Sequence, residues 1–293
     1  MSVTITANQV KELRELTGAG MMECKKALTE ANGDIEAAIK AMREAGITKA
    51  AKKAGRIAAE GRIATEVSDN GLTAAMVEVN CETDFVARDS NFVQFSTEVV
   101  KAALQHRVVE VEKLCEIALE DGRTVEQVRQ ELVSKLGENI QIRRIGLIQS
   151  TGIVGCYTHG GRIGALVALS KPNTELAKDL AMHIAAANPL TIHADNVPAD
   201  LIENEKEIFR AQSKDSGKSA DIIEKMIGGR IQKFLNEVTL LGQPFVKDPA
   251  KNIATLLKEG GTEVSAFIRF EVGEGIEKVV EDFAQAVRAQ VGE

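Results

Sequence analysis

Four cysteines and four histidines are the residues of this 293-residue chain best suited to nucleophilic, acid–base or metal chemistry. Their spacing supports little of it. Cys24, Cys81, Cys115 and Cys156 stand at least 34 residues apart, so there is no C-x-x-C pair for zinc or dithiol work. Cys24 falls on an apolar helical face and Cys81 in an apolar strand-like run, and both read as small buried hydrophobes. Cys156 and His159 form an isolated C-x-x-H, two ligands where a structural zinc site needs four. His183 lies in an apolar helix and reads as a core residue, while His106 and His193 have polar neighbours. No Ser-His-Asp or Cys-His set is suggested by spacing. Gly217–Ser219 ends like a phosphate-binding loop, but Gln212 stands where that loop needs its first glycine, and a helix precedes it instead of a strand. Gly273–Gly275 lacks the third glycine of a dinucleotide fingerprint. No cofactor and no metal of its own is expected.

The segment that resists a bland reading is NCETDFVARDSNF, Asn80 to Phe92. Phe92 and Phe95 have the spacing of core residues on the following helix. Phe85, with Asp84, joins neither the strand period before it nor the helical period after it. It sits at a strand-to-helix junction, where loops present function on a rigid scaffold. Pattern alone leaves Phe85 open between an exposed anchor, the kind of aromatic that marks binding hot spots, and a cap over the local core.

The elements that must hold this segment follow from periodicity. Residues 1–55 read as a three-helix unit with its linker. Thr6 and Gln9 form a capping box, and Val10, Leu13 and Leu16 give an apolar stripe. Gly18 ends that helix. A second helix, from about Met21, turns Cys24, Ala27 and Leu28 inward and ends at Gly33. Asp34 caps a third, with Ile35, Ala38, Ile39 and Met42 inward, ending before Gly46. A basic stretch follows, with Lys49, Lys52, Lys53 and Arg56. The first 55 residues hold 9 basic and 7 acidic side chains, a local net of +2 that suits either an acidic partner or a solvated linker.

Beyond it lies an internal repeat at an offset of 90 residues. GLTAAMVEVN from Gly71 matches GRIGALVALS from Gly161, with Ala75, Val77 and Val79 answering Ala165, Val167 and Leu169 on one strand face. Each segment follows a strand-like run across a polar turn, a β-hairpin signature. Each is followed by a helix and a third strand, from Asn139 and from Glu263. The fold class is therefore α+β, with two repeated subdomains, each a three-stranded antiparallel sheet with helices on one face. The organisation expected is a core N-subdomain at 56–144, a core C-subdomain at 145–197 and 240–272, an inserted antiparallel helical hairpin (a coiled coil) at 198–239, and a C-terminal helical module at 273–293. The excess length of the second half falls on that hairpin, whose second helix carries Ile222, Ile223, Met226, Ile227, Ile231, Phe234 and Leu235.

Composition narrows the function classes. The net charge is −7 and aromatics are 3% of the chain, with no Trp and one Tyr. That argues against a phosphate-binding groove and against stacking platforms for nucleic acid. No run approaches a membrane span, and the start carries no signal or transit pattern, so a reduced, cytoplasmic protein is expected.

At TDFV, Thr83–Val86, the sequence becomes recognisable. With TGAGMMECKKAL at Thr17–Leu28, EANGDIEAAI at Glu30–Ile39, HGGRIG at His159–Gly164, GQPFV at Gly242–Val246 and FIRFEVGEGIE at Phe267–Glu277, the chain closely resembles the bacterial translation elongation factor Ts family. The resemblance implies a guanine-nucleotide exchange factor for elongation factor Tu, binding its GDP-bound and nucleotide-free forms, and not an enzyme. It implies a ubiquitin-associated-like N-terminal domain, and a loop whose Phe inserts between helices of the partner and disturbs its Mg²⁺ site. Carried over, that loop is Thr83, Asp84, Phe85 and Val86, with further contacts at Arg14, Met21, Met22 and His159. Whether the coiled coil pairs two chains as a homodimer or touches the partner stays open. Two other classes compete: a non-catalytic adaptor with a ubiquitin-associated-like module, and a cytosolic hydrolase or thiol enzyme using Cys81, Asp84 and a nearby His.

Overall fold

The computed structural model describes residues 5–17, 19–213 and 219–277. Three helices come first: α1 (Ala7–Thr17), α2 (Met21–Glu30) and α3 (Ile35–Lys53). The capping box closes, with Gln9 N–H donating to Thr6 Oγ1 at 3.3 Å and Thr6 N–H to Gln9 Oε1 at 3.0 Å. Asp34 Oδ1 accepts from Ala37 N–H at 3.0 Å and satisfies one orphan donor of α3. Val10, Leu13, Cys24, Ala27, Leu28 and Ala38 make a small core of their own.

Two halves built on one plan follow. The first runs β1 (Glu60–Val67), β2 (Thr73–Cys81), α4 (Asp84–Ala87), α5 (Ser90–His106), α6 (Val111–Glu116), α7 (Val125–Leu136) and β3 (Gln141–Gln149), with antiparallel sheet order β1-β2-β3. The second runs β4 (Ile153–His159), β5 (Ile163–Leu169), α8 (Thr174–Ala187), α9 (Ala199–Ser213), α10 (Ala220–Val238), a short ribbon of β6 (Pro244–Phe245) and β7 (Asp248–Asn252), α11 (Ile253–Glu259) and β8 (Val264–Glu271), with order β4-β5-β8. The fold is α+β, and the 90-residue repeat is a repeat of sheet topology.

On each sheet the predicted strand face meets a helix. Ala75, Val77 and Val79 pack with Phe92, Phe95 and Val99 of α5. Ala165, Val167 and Leu169 pack with Leu180, Ala181 and Ile184 of α8. The other faces pack on each other, through Ile63, Ala74, Met76, Leu166, Ala168 and Phe270. Every residue of β2 is buried for this reason. The seam is tight at Gly164, where a Cβ would stand 2.5 Å from Ile63 Cγ2. Two hydrogen bonds cross it in a matched pair: Ile63 N–H to Gly161 O at 2.7 Å and Val154 N–H to Gly71 O at 2.8 Å. At one edge buried Glu78 accepts from Arg143 at 3.0 Å, Arg144 at 2.5 Å, Asn80 Nδ2 at 3.1 Å and Gly273 N–H at 2.8 Å.

In the region of the helical insertion, α9 and α10 meet side by side. Arg210 meets Glu224 at 3.3 Å across α9 and α10, and Arg230 lies 5.2 Å from the Phe209 ring centroid. Its base is tied to α8 by Gln243, whose Oε1 lies 2.9 Å from His183 Nε2 and whose Nε2 donates to Glu237 O at 2.8 Å.

The structure corrects several expectations. α3 continues through Gly46 to Lys53, so most of the basic stretch is helix. Glycine costs a helix about 1 kcal/mol against Ala, but Gly46 is buried against Ser134 and Gln130 of α7, and that packing outweighs the propensity. Leu16 is 63% exposed and lines the cleft between the helical unit and α7, outside the stripe's core. β3 runs to Gln149, across the expected 144/145 division. The structure adds α6, α7 and the β6–β7 ribbon to the expected elements, although α7 opens on a Thr124–Gln127 capping box and carries Val125, Val128, Leu132, Val133 and Leu136 at helical spacing. Gly18, residues 214–218, where the sequence places a polar turn and the first two residues of the GKS match, and 278–293, where it places an amphipathic C-terminal helix, lie outside the described residues. No helix among the described residues is long and apolar enough to cross a membrane.

Candidate partner-binding site at the end of the central strand

The β2–β3 ladder stops at the Asn80–Gln141 pair. Beyond it two carboxylates take over from the backbone. Glu138 Oε2 accepts from Glu82 N–H and Thr83 N–H at 3.0 Å each, and Oε1 accepts from Thr83 Oγ1 at 2.6 Å. In return Glu82 Oε1 accepts from Asn139 N–H at 2.6 Å. Ionised acceptors make such bonds shorter and stronger than neutral ones.

Thr83 then caps α4, its Oγ1 accepting from Val86 N–H at 3.4 Å. The helix lasts one turn. Asp89 starts the next one, α5, accepting from Asn91 N–H at 2.8 Å and Phe92 N–H at 3.4 Å. Its side-chain bond from Asn91, helped by these backbone donors, holds the Asp89 carboxyl below the usual carboxylate range. On α4, Val86 is buried in the first-half core, and Asp84 pairs with Arg88 at 2.9 Å. Phe85 is 83% exposed. Of the two readings left open by pattern, a cap over the local core is not what the backbone produces: the ring is exposed.

Cys81 ends β2 just before this turn. It is fully buried, and its Sγ donates to Thr83 O at 3.1 Å. Burial pushes its pKa up to about 12. A nucleophilic cysteine needs the opposite shift to be a thiolate at neutral pH, so the Cys81–Asp84 thiol reading has no reactive sulfur. Among the described residues no group of three or more His, Cys, Asp or Glu is placed to hold a metal ion.

The other residues singled out lie elsewhere on the surface. Arg14 is exposed in the last turn of α1, and Met21 and Met22 open α2 at 48% and 77% exposure. His159 ends β4 at the hairpin tip, exposed, with its ring stacked on Tyr157 at 6.3 Å between centroids and Nδ1 3.2 Å from Tyr157 Oη. His183 is buried, its pKa lowered by desolvation, with Nδ1 lacking a partner. A cleft in the second half, lined by Lys171, His193, Lys258 and Thr262, contains none of the candidate binding residues. The arrangement is a set of exposed side chains on separate elements. Such an arrangement suits protein–protein contact better than a small substrate, which needs an enclosing concave site.

Sequence reasoning missed the residues that hold Phe85 in place: Glu82, Glu138, Asn139 and Arg56. Lys53 donates to Gly137 O, and Asn139 Nδ2 donates to Ala54 O at 3.3 Å and Arg56 O at 2.7 Å. Arg56 lies 3.6 Å from Glu82. The basic stretch thus closes over the carboxylate pair. No spacing rule links residues 53–56 to 137–139; the only signal was two acidic residues flanking elements that the repeat places side by side.

Comparison with known proteins adds a separate line. The sequence model of the family described as Elongation factor TS matches residues 82–274. The chain is 59% identical over 280 residues to elongation factor Ts of Alcanivorax borkumensis strain SK2, covering 96% of this chain and 98% of that protein. It is 56% identical over 288 residues to elongation factor Ts of Legionella pneumophila strain Paris, covering 98% and 99%. It is 53% identical over 290 residues to elongation factor Ts of Coxiella burnetii strain Dugway 5J108-111, covering 98% of each.

Proposed function

The chain belongs to the elongation factor Ts family, and from that premise we propose that it is the cytoplasmic guanine-nucleotide exchange factor for elongation factor Tu and uses Phe85 as a wedge. It binds the GDP-bound partner, inserts the Asp84–Phe85 turn near the partner's Mg²⁺ site, and holds the nucleotide-free form until GTP enters. It acts by contact and catalyses no bond change of its own.

The observation that carries the reading is the side chain of Phe85, 83% exposed on a turn whose backbone is held from both sides. An exposed Phe has its burial free energy unspent, about 1.5–3 kcal/mol if fully covered by a partner. Binding that is stronger to the nucleotide-free partner must, by reciprocity, weaken nucleotide binding by the same factor. Moving a Mg²⁺ ion or its ligands removes the largest local countercharge from a diphosphate, so GDP leaves faster. Arg14, Met21 and Met22 on the helical unit and His159 on the second half supply contacts that orient the wedge.

The test is GDP release from elongation factor Tu with Phe85→Ala. Losing about 1.5–3 kcal/mol of insertion energy corresponds to release slower by roughly 10- to 100-fold, with the melting temperature unchanged because the ring packs on nothing in the free protein. Wild-type release by the folded variant would rule the wedge out.

A further inference from the structure

We propose that Glu138 is a positioning residue for this exchange: its carboxylate, reaching over from beyond the end of α7, holds Thr83–Val86 in the turn that presents Phe85. The inference rests on the wedge reading above.

A wedge transmits force only if its own backbone does not yield. A four-residue helix has no stability of its own, since nucleating a turn costs more than one turn returns. Something outside must hold it, and a turn held in its bound shape loses less conformational freedom on binding. Glu138 accepts three of the hydrogen bonds that do so, from Glu82 N–H, Thr83 N–H and Thr83 Oγ1. The last of these also orients Thr83 Oγ1 as the cap for Val86. The reciprocal bond from Asn139 N–H to Glu82, with Arg56 beside it, fixes the other side of the exchange.

The repeat shows that closing the sheet needs no carboxylate at this position. Ala74 pairs with Ile148 and Gly164, 90 residues on, with Phe270, so the third strands are offset by 122 and Glu138 answers Gly260, which has no side chain. The nearest side-chain acceptor in the second half is a hydroxyl two residues further on: Thr262 Oγ1 accepts from Lys171 N–H at 3.1 Å and lies 3.4 Å from Ser170 Oγ. The half with the exposed Phe is the half with the longer, charged acceptor.

The experiment is release of a fluorescent GDP analogue from elongation factor Tu, measured with full-length variants across factor concentration, with melting curves alongside. Glu138→Ala is expected to lower the maximal release rate by about tenfold while the half-saturating concentration shifts much less. Glu138→Gln keeps one acceptor for the two N–H groups and a donor facing the Thr83 hydroxyl, so it recovers to within about threefold of wild type. In a Phe85→Ala background, Glu138→Ala adds less than about a twofold loss, because nothing remains to position. Wild-type maximal rate for Glu138→Ala, equal losses for the Ala and Gln variants, or losses that multiply in the double variant would each overturn the role. If Glu138→Ala does not fold, Thr83→Val decides: it removes the 2.6 Å bond and is expected to slow release about threefold in the wild-type background only, and an unchanged rate rejects the proposal. Wild-type release by Phe85→Ala is a different failure, which removes the wedge itself.

Discussion

The two halves of the core leave their central strands in different ways. In the second half β5 passes through Ser170 to Pro172, and Asn173 caps α8 at once, accepting from Leu176 N–H at 3.1 Å. Thr83, 90 residues earlier, occupies the same cap position, yet the helix it starts lasts one turn, and a second cap at Asp89 is needed before α5 begins. One half spends this junction on direct packing of helix on sheet. The other inserts an extra turn that exposes an aromatic ring and adds carboxylates to hold it. A duplicated scaffold can therefore gain an exposed turn where local capping is repeated, without disturbing the sheet.

The seam differs in the same spirit. Glu78 on β2 and Ala168 on β5 are equivalent; Ala168 joins the shared apolar core, while Glu78 is buried with Arg143, Arg144 and Gly273 N–H. If that ion cluster holds the edge of the seam, Glu78→Ala should cost about 2–3 kcal/mol in urea unfolding, since it removes the acceptor that Gly273 N–H, Arg143 and Arg144 share and leaves the two guanidinium groups only Glu271 O and Glu274. A loss under about 1 kcal/mol would mean that apolar packing closes both halves alike.

Gly155 on β4 and Ala64 on β1 make a second matched pair. A Cβ at Gly155 would stand 2.2 Å from Ala177 O of α8, whereas Ala64 already carries one in the buried first-half core. Gly155→Ala should destabilise by about 1–3 kcal/mol through overpacking. A neutral result would show that α8 yields and that the two helix–sheet spacings are equivalent.

The smallest effect concerns buried polar groups. On α5, Ser96 bonds within its own helix to Phe92 O at 2.8 Å. On α8, His183 reaches out to Gln243, and burial lowers its pKa from 6.5. The folded state then holds this ring neutral at pH values where the unfolded chain protonates it. Its contribution is complete above about pH 6.5 and is lost as pH falls toward the folded value, at no more than about 1.4 kcal/mol per pH unit. Urea midpoints at pH 7.5 and 5.5 should separate more for wild type than for His183→Gln. Equal separations would show that His183 does not couple the insertion base to pH.

Much of the scaffold was legible because its signals are local. The caps at Thr6 and Asp34, the period-two faces of β2 and β5, the third strands after Gly137 and Gly261 and the paired helices at 198–239 all depend on neighbours a few residues apart or on repetition. The helix through Gly46 was not legible, because its packing partner lies in α7, more than 80 residues on. At the site, sequence isolated Phe85 by its failure to fit either period but left its exposure open.

By itself the sequence determined the three N-terminal helices, the hairpins and third strands of both halves and the helices packed on them, that the core is duplicated, and which family the chain belongs to, since backbone propensity, capping and burial period act over one or two turns. Only the tertiary structure decided that the two sheets stack and bury β2 on both faces, that Phe85 points outward, and that Glu82 and Glu138 exchange hydrogen bonds beneath Arg56. Those outcomes join groups 26 to 98 residues apart, from Arg56–Glu82 to Val154–Gly71 and Ile63–Gly161 across the seam. Contacts of that range are set by how finished elements pack, and no local pattern encodes them.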